Sequence, residues 1–161
     1  MPHRWRSLAL AAALLLSLPS PALAIDEQST QGGTTKSLTD YLSDLEGDSE
    51  PDRLYASRVL RGNLKRALHT EATAREGSLA YDDARLTLVE LEARLPHACM
   101  ASLSQANVVA PCADILGMLQ VREAVPSLKA LLPGEKRGWV RRKIETAIKA
   151  IEAVPPVEGA G

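Results

Sequence analysis

The sequence predicts an all-α protein, a short stack of about six or seven helices. Three observations carry that reading. Apolar residues beyond position 36 recur at helical spacing in block after block, as in Leu38, Tyr41, Leu42 and Leu45. The aliphatic side chains are mostly Ala and Leu, with no Phe and only 3% aromatic residues, a composition that suits helix packed on helix. Gly47, Pro51, Gly77, Pro96 and Pro133-Gly134 punctuate these blocks, and no convincing strand lies between them.

The first 24 residues read as a targeting segment. Arg4 and Arg6 supply positive charge, Leu8–Leu18 is an apolar run, and Ala22-Leu23-Ala24 offers the small-x-small pattern of a cleavage site. The run is shorter than the about 20 residues a spanning helix needs, so cleavage is expected rather than anchoring. The product would be exported, periplasmic or extracellular, with no transmembrane segment remaining. Loss of Arg4 and Arg6 from the 19 basic residues, against 20 acidic ones, leaves a mildly acidic chain with no general attraction for nucleic acid. Residues 25–36 are polar, with Gly32-Gly33, and read as a flexible leader. Residues 154–161 contain Pro155-Pro156 and end Gly-Ala-Gly, a frayed tail. The folded domain is expected at 37–153.

Its elements follow in order. Ser37 and Asp40 make a capping-box start to a first helix that Gly47 ends. Pro51 opens the second, with Ala56, Val59, Leu60, Leu64, Ala67 and Leu68 on one face. Thr70–Tyr81 forms a longer connection broken at Gly77. The third helix runs from about Asp82 to Arg94 and stops at Pro96, and a short helix covers His97–Ser104. Asn107 caps a helix through Leu119, and Val125-Pro126 opens one through Leu132. The last runs from about Lys136 to Ala153, with Val140, Ile144, Ala147, Ile148 and Ile151 in one stripe.

That last helix repeats an earlier one at a distance of 32 residues. Val140 falls on Val108, Ile144 on Cys112, Ala147 on Ile115, Ile148 on Leu116 and Ile151 on Leu119. The first of them ends in Ala113-Asp114-Ile115-Leu116-Gly117-Met118-Leu119, Arg122-Glu123-Ala124-Val125-Pro126-Ser127-Leu128-Lys129-Ala130-Leu131-Leu132 lies between the two, and Val140-Arg141 opens the next unit. This order resembles the HEAT-like helical repeat family over about residues 108–152. Pro111 in the first turn and Lys149 in place of a second Gly117 depart from the pattern. The resemblance implies a right-handed α-superhelix of stacked α-α hairpins, whose apolar faces are buried only by stacking. It also implies a broad surface for gripping a protein partner, and a few such repeats occur in lyase-like proteins that attach chromophores.

Catalytic constellations are missing from the sequence: no Gly-x-Ser-x-Gly, no phosphate-cradling glycine loop, and carboxylate pairs only at helix starts, where capping accounts for them. No enzyme, cofactor or metal is expected. His97, Cys99, Cys112 and Asp114 match no zinc spacing. Cys99 and Cys112 are the only cysteines, and an oxidising compartment favours a disulfide between them over two buried thiols. Such a loop closure is worth about 3 kcal/mol.

Lys136, Arg137, Arg141, Arg142 and Lys143 surround Trp139. They form either the solvated face of the last helix or a partner-binding patch for an acidic protein, an anionic membrane surface or an envelope polymer, with Trp139 as anchor. The second helix adds Arg58, Arg61, Lys65 and Arg66, and the patch reading gains if both stripes share one side. The function expected is a non-catalytic exported adaptor that binds an unidentified protein. The alternatives are an accessory subunit or lyase-like enzyme on the same scaffold, and a self-associating structural envelope protein.

Overall fold

The computed structural model describes residues 36–155, and among these every regular element is helical. The expected signal segment and nearly all of the leader lie outside the described residues. Six α-helices follow in order: α1 Leu38–Glu46, α2 Glu50–Thr73, α3 Leu79–Ser102, α4 Val109–Met118, α5 Val125–Leu131 and α6 Gly138–Glu152, with a single 3-10 turn at Arg122–Ala124. Each packs chiefly on its neighbours: α1 on α2 and α3, α2 on α3 and α4, α4 on α6, and α5 on α6. One aliphatic core runs through all six. Its largest side chains, fully covered, include Leu42, Leu60, Leu91, Leu116, Leu128 and Ile144.

The local signals hold where chemistry is local. Ser37 caps α1 by accepting from the Asp40 N–H, and the Asp40 carboxylate accepts from the Ser37 N–H at 2.8 Å. Pro51 sits in the first turn of α2, where its missing N–H has no partner to lose. The α6 stripe of Val140, Ile144, Ala147, Ile148 and Ile151 is buried throughout. Of the matching α4 residues, Val108, Cys112, Ile115 and Leu116 are buried and Leu119 is half-buried.

Several boundaries differ from expectation. Helix α3 starts at Leu79 behind a Ser78 cap and continues through Pro96 without a break. The short helix expected at 97–104 is thus its last turns. Proline removes one N–H, but Leu95, Ala98, Cys99 and Ser102 keep burying one face on both sides of it, and packing outweighs the local penalty. The Ser102 hydroxyl donates to the Leu45 carbonyl, tying that end of α3 to α1. Asn107 does not cap α4. Its amide donates to the Glu50 carbonyl at 3.2 Å, stitching the α3–α4 turn to the start of α2, and Val108 takes the cap position. The last helix begins at Gly138, not Lys136. Val154, expected in the tail, accepts from Arg122 through its carbonyl.

Gln120 ends α4. Its φ of 55° places it in the left-handed region, and Val121 N–H then reaches the Leu116 carbonyl while Gln120 N–H reaches that of Gly117. This reversal fixes the direction in which the chain leaves for α5.

The expected disulfide is not formed. Cys99 and Cys112 are free and buried, facing each other between α3 and α4. Sequence separation allowed a bridge, but bonding requires a specific approach of the two Cβ atoms, which packing of two rigid helices does not supply here. The Cys112 thiol, hydrogen-bonded to Cys99, and burial both push the Cys99 thiol well above its ordinary range. Folded protein should therefore resist a thiol-selective reagent, and denatured protein should yield two thiols per chain. Recovery of none without reductant would contradict that.

Candidate interaction surface

The side chains of the basic cluster expected around Trp139 take different partners. Arg137 turns back on Glu135, donating from its backbone N–H at 2.8 Å, from Nε at 2.9 Å and from Nη2 at 2.6 Å. Arg141 donates to the carbonyls of Glu135 and Leu132 and so ties α6 to the end of α5. Lys136, Arg142 and Trp139 are exposed, with Trp139 at 54%. Two of the six residues thus serve the fold, Arg137 and Arg141 building the α5–α6 turn, and a third, Lys143, points elsewhere.

The Glu135–Arg137 pair has a pH signature. The Arg137 side chain, then its backbone N–H, hold the Glu135 carboxyl down from 4.5 to about 2. A depressed carboxylate contributes stability above its unfolded value near 4.5, and that contribution is lost as pH falls through about 2. NMR titration of Glu135 should give a midpoint near 2, returning toward 4.5 in Arg137→Ala. A wild-type midpoint at 4.5 would show the pair unformed.

Lys143 joins the other basic stripe. Its Nζ lies 3.0 Å from Asp114 Oδ2, and Arg61 Nη1 lies 3.0 Å from the same oxygen. Asp114 stands on α4, Arg61 on α2 and Lys143 on α6. The carboxylate is half-buried, with its side chain 17% exposed, while both cations reach solvent. Together these three helices wall a groove of about 580 Å3, whose lining also includes Lys65, Met118 and a floor of Gly62, Gly117, Ala147 and Ala150. Three cations and one carboxylate therefore line the groove. Arg58 and Arg66 are exposed on α2 but do not line it.

The floor is low for two different reasons. Gly117 is where α4 and α6 touch: a Cβ added there would stand 3.0 Å from the Ala147 Cα and 3.1 Å from its Cβ. Gly62 is the opposite case. It lies deep inside the 24-residue helix α2, and a Cβ there would meet nothing within 4 Å. Glycine in a helix interior costs about 1 kcal/mol relative to alanine, and no contact among the described residues asks for it.

Sequence reasoning found Arg61, Lys65 and Lys143 but missed Gly62, Asp114, Gly117, Ala147 and Ala150 as companions. The readable signals were a glycine in an unbroken helical pattern and a lone acid in the apolar helix α4. His97 is exposed, and Asp114 is taken up by its two cations rather than turned to the cysteines. Among the described residues no three potential ligands gather around a common point. Likewise no described helix is long and apolar enough to cross a membrane. No family model, curated protein or solved structure matches this chain. The fold defines it as an all-α protein.

Proposed function

We propose that this chain is an exported, non-catalytic binding module of HEAT-like repeat type that accepts an extended acidic segment of a partner protein in the groove between α2 and α6. The observation that carries the reading is Gly62, bare backbone in the groove floor where no contact among the described residues requires the side chain to be missing. Glycine at such a point lets a ligand approach the backbone closely. Around it, the excess of Arg61, Lys65 and Lys143 over Asp114 favours carboxylates. Asp114 holds Arg61 and Lys143 toward the groove, which lowers the cost of ordering them on binding. The Arg4–Ala24 pattern supports export, and the 32-residue echo between α4 and α6 supports the repeat reading.

The test uses a fluorescent peptide of alternating Glu and Ser, read by anisotropy. Affinity should fall steeply with salt, and Lys65→Glu should weaken it by about tenfold, since Lys65 makes no ion pair among the described residues. Gly62→Leu should abolish binding while helicity stays unchanged, because the added side chain enters open groove. Equal affinity in Gly62→Leu would overturn the proposal. Gly62→Ala should raise the unfolding free energy by about 0.5–1 kcal/mol, as measured in urea.

A further inference from the structure

Helix α3 has a second apolar face. Leu79, Leu86 and Val89 are 89%, 72% and 57% exposed, and with Asp82 and Ala93 they fall at spacings of three and four along the helix. The opposite face, through Ala84, Leu88, Leu91 and Leu95, is fully used by the core. A helix that needs only one apolar face for its own fold but carries two has an unpartnered seam at heptad spacing.

We infer that α3 is a self-association seam, on which two copies of this chain pair antiparallel about a two-fold axis between Leu86 and Val89. The register follows from the side chains. Antiparallel pairing sets Leu86 of each copy against Val89 of the other, twice, and puts Asp82 against Ala93. Parallel pairing would instead bury Asp82 against Asp82. The antiparallel register also brings Arg85 opposite Glu92 on both sides of the axis, and both are exposed in the single chain. Arg85 meanwhile contacts Glu71 of its own α2, which holds it beside the seam. Asp83 and Glu90 face each other on the other rim, so added salt relieves repulsion there.

Neither the sequence between 25 and 35 nor that after 155 offers an apolar stripe to match the seam. The polar leader Ile25–Thr35 contains one large apolar residue, Ile25, and the stretch 156–161 contains only Val157. A single helix pair buries less than a standard interface, so the dimer is weak, with a dissociation constant of roughly 100 µM. This inference is independent of the groove reading, since α3 does not line the groove.

Sedimentation equilibrium of the purified chain over roughly 10–1000 µM tests it. Monomer–dimer exchange is expected, with Leu86→Glu weakening the dimer by about a hundredfold at unchanged helicity. Arg85→Glu and Glu92→Arg should each weaken it, and the double variant should recover what each single change lost. A monomer throughout that range would overturn the inference. So would a Leu86→Glu dimer as tight as wild type, or single variants that weaken it without recovery in the double.

Discussion

Gly117→Leu is expected to lower the unfolding free energy by about 3 kcal/mol, at the upper end of what overpacking costs. The obstacle is backbone. The Cβ would meet the Ala147 Cα at 3.0 Å, and a helix axis cannot rotate away as a side-chain tip does. Relief requires α4 and α6 to move apart, and that opens the layer shared by Leu116, Ile144 and Ile148. Gly117→Ala is milder, because better helix propensity offsets part of the contact. Urea unfolding should order the variants as Gly62→Ala, wild type, Gly117→Ala and Gly117→Leu from most to least stable. A Gly117→Leu protein as stable as wild type would mean that α4 and α6 do not approach this closely.

Ile144→Ala carries the second large effect, a loss of about 2–5 kcal/mol. Ile144 is fully buried in the middle of α6, facing α4. The core contains no Phe and few aromatics, so it is built of many small and medium side chains held by two or three rigid helices at each point. Such a layer collapses poorly around a lost side chain, and the cost lies toward the cavity-limited end. The same change at exposed Leu86, measured on protein dilute enough to be monomeric, should cost less than about 0.5 kcal/mol, because little covered surface is lost. Thermal unfolding of the two variants side by side separates core from surface directly.

The features legible in the sequence were those set within a few residues. The Ser37–Asp40 box, the proline start of α2 and the stripe of α6 each depend on neighbours along the chain, and each lies where periodicity put it. Pro96 misled because its penalty is local while the reward for continuing α3 comes from α1 and α4 across the core. Asn107 misled similarly, since its amide finds the Glu50 carbonyl, a partner 57 residues distant. The expected Cys99–Cys112 bond is absent although the two lie together, because bonding depends on Cβ directions that spacing does not encode.

The candidate surface shows the same division. Cations on α2 and α6 were visible, but which of them share a side depends on how both helices lie over α4. Lys143 turned out to belong with Arg61, not with its sequence neighbours Arg141 and Arg142. Gly62 stood out in the sequence only as a glycine inside an unbroken helical pattern, and that signal does not say that the space beside it is empty.

The most direct test of the groove is an NMR titration of the 15N-labelled chain with the Glu-Ser peptide. Amide shifts should concentrate at Arg61, Gly62, Lys65, Asp114, Lys143 and Ala147, with the Trp139 indole unmoved. Shifts centred on Trp139, Lys136 and Arg142, or spread evenly over the basic surface, would contradict the account.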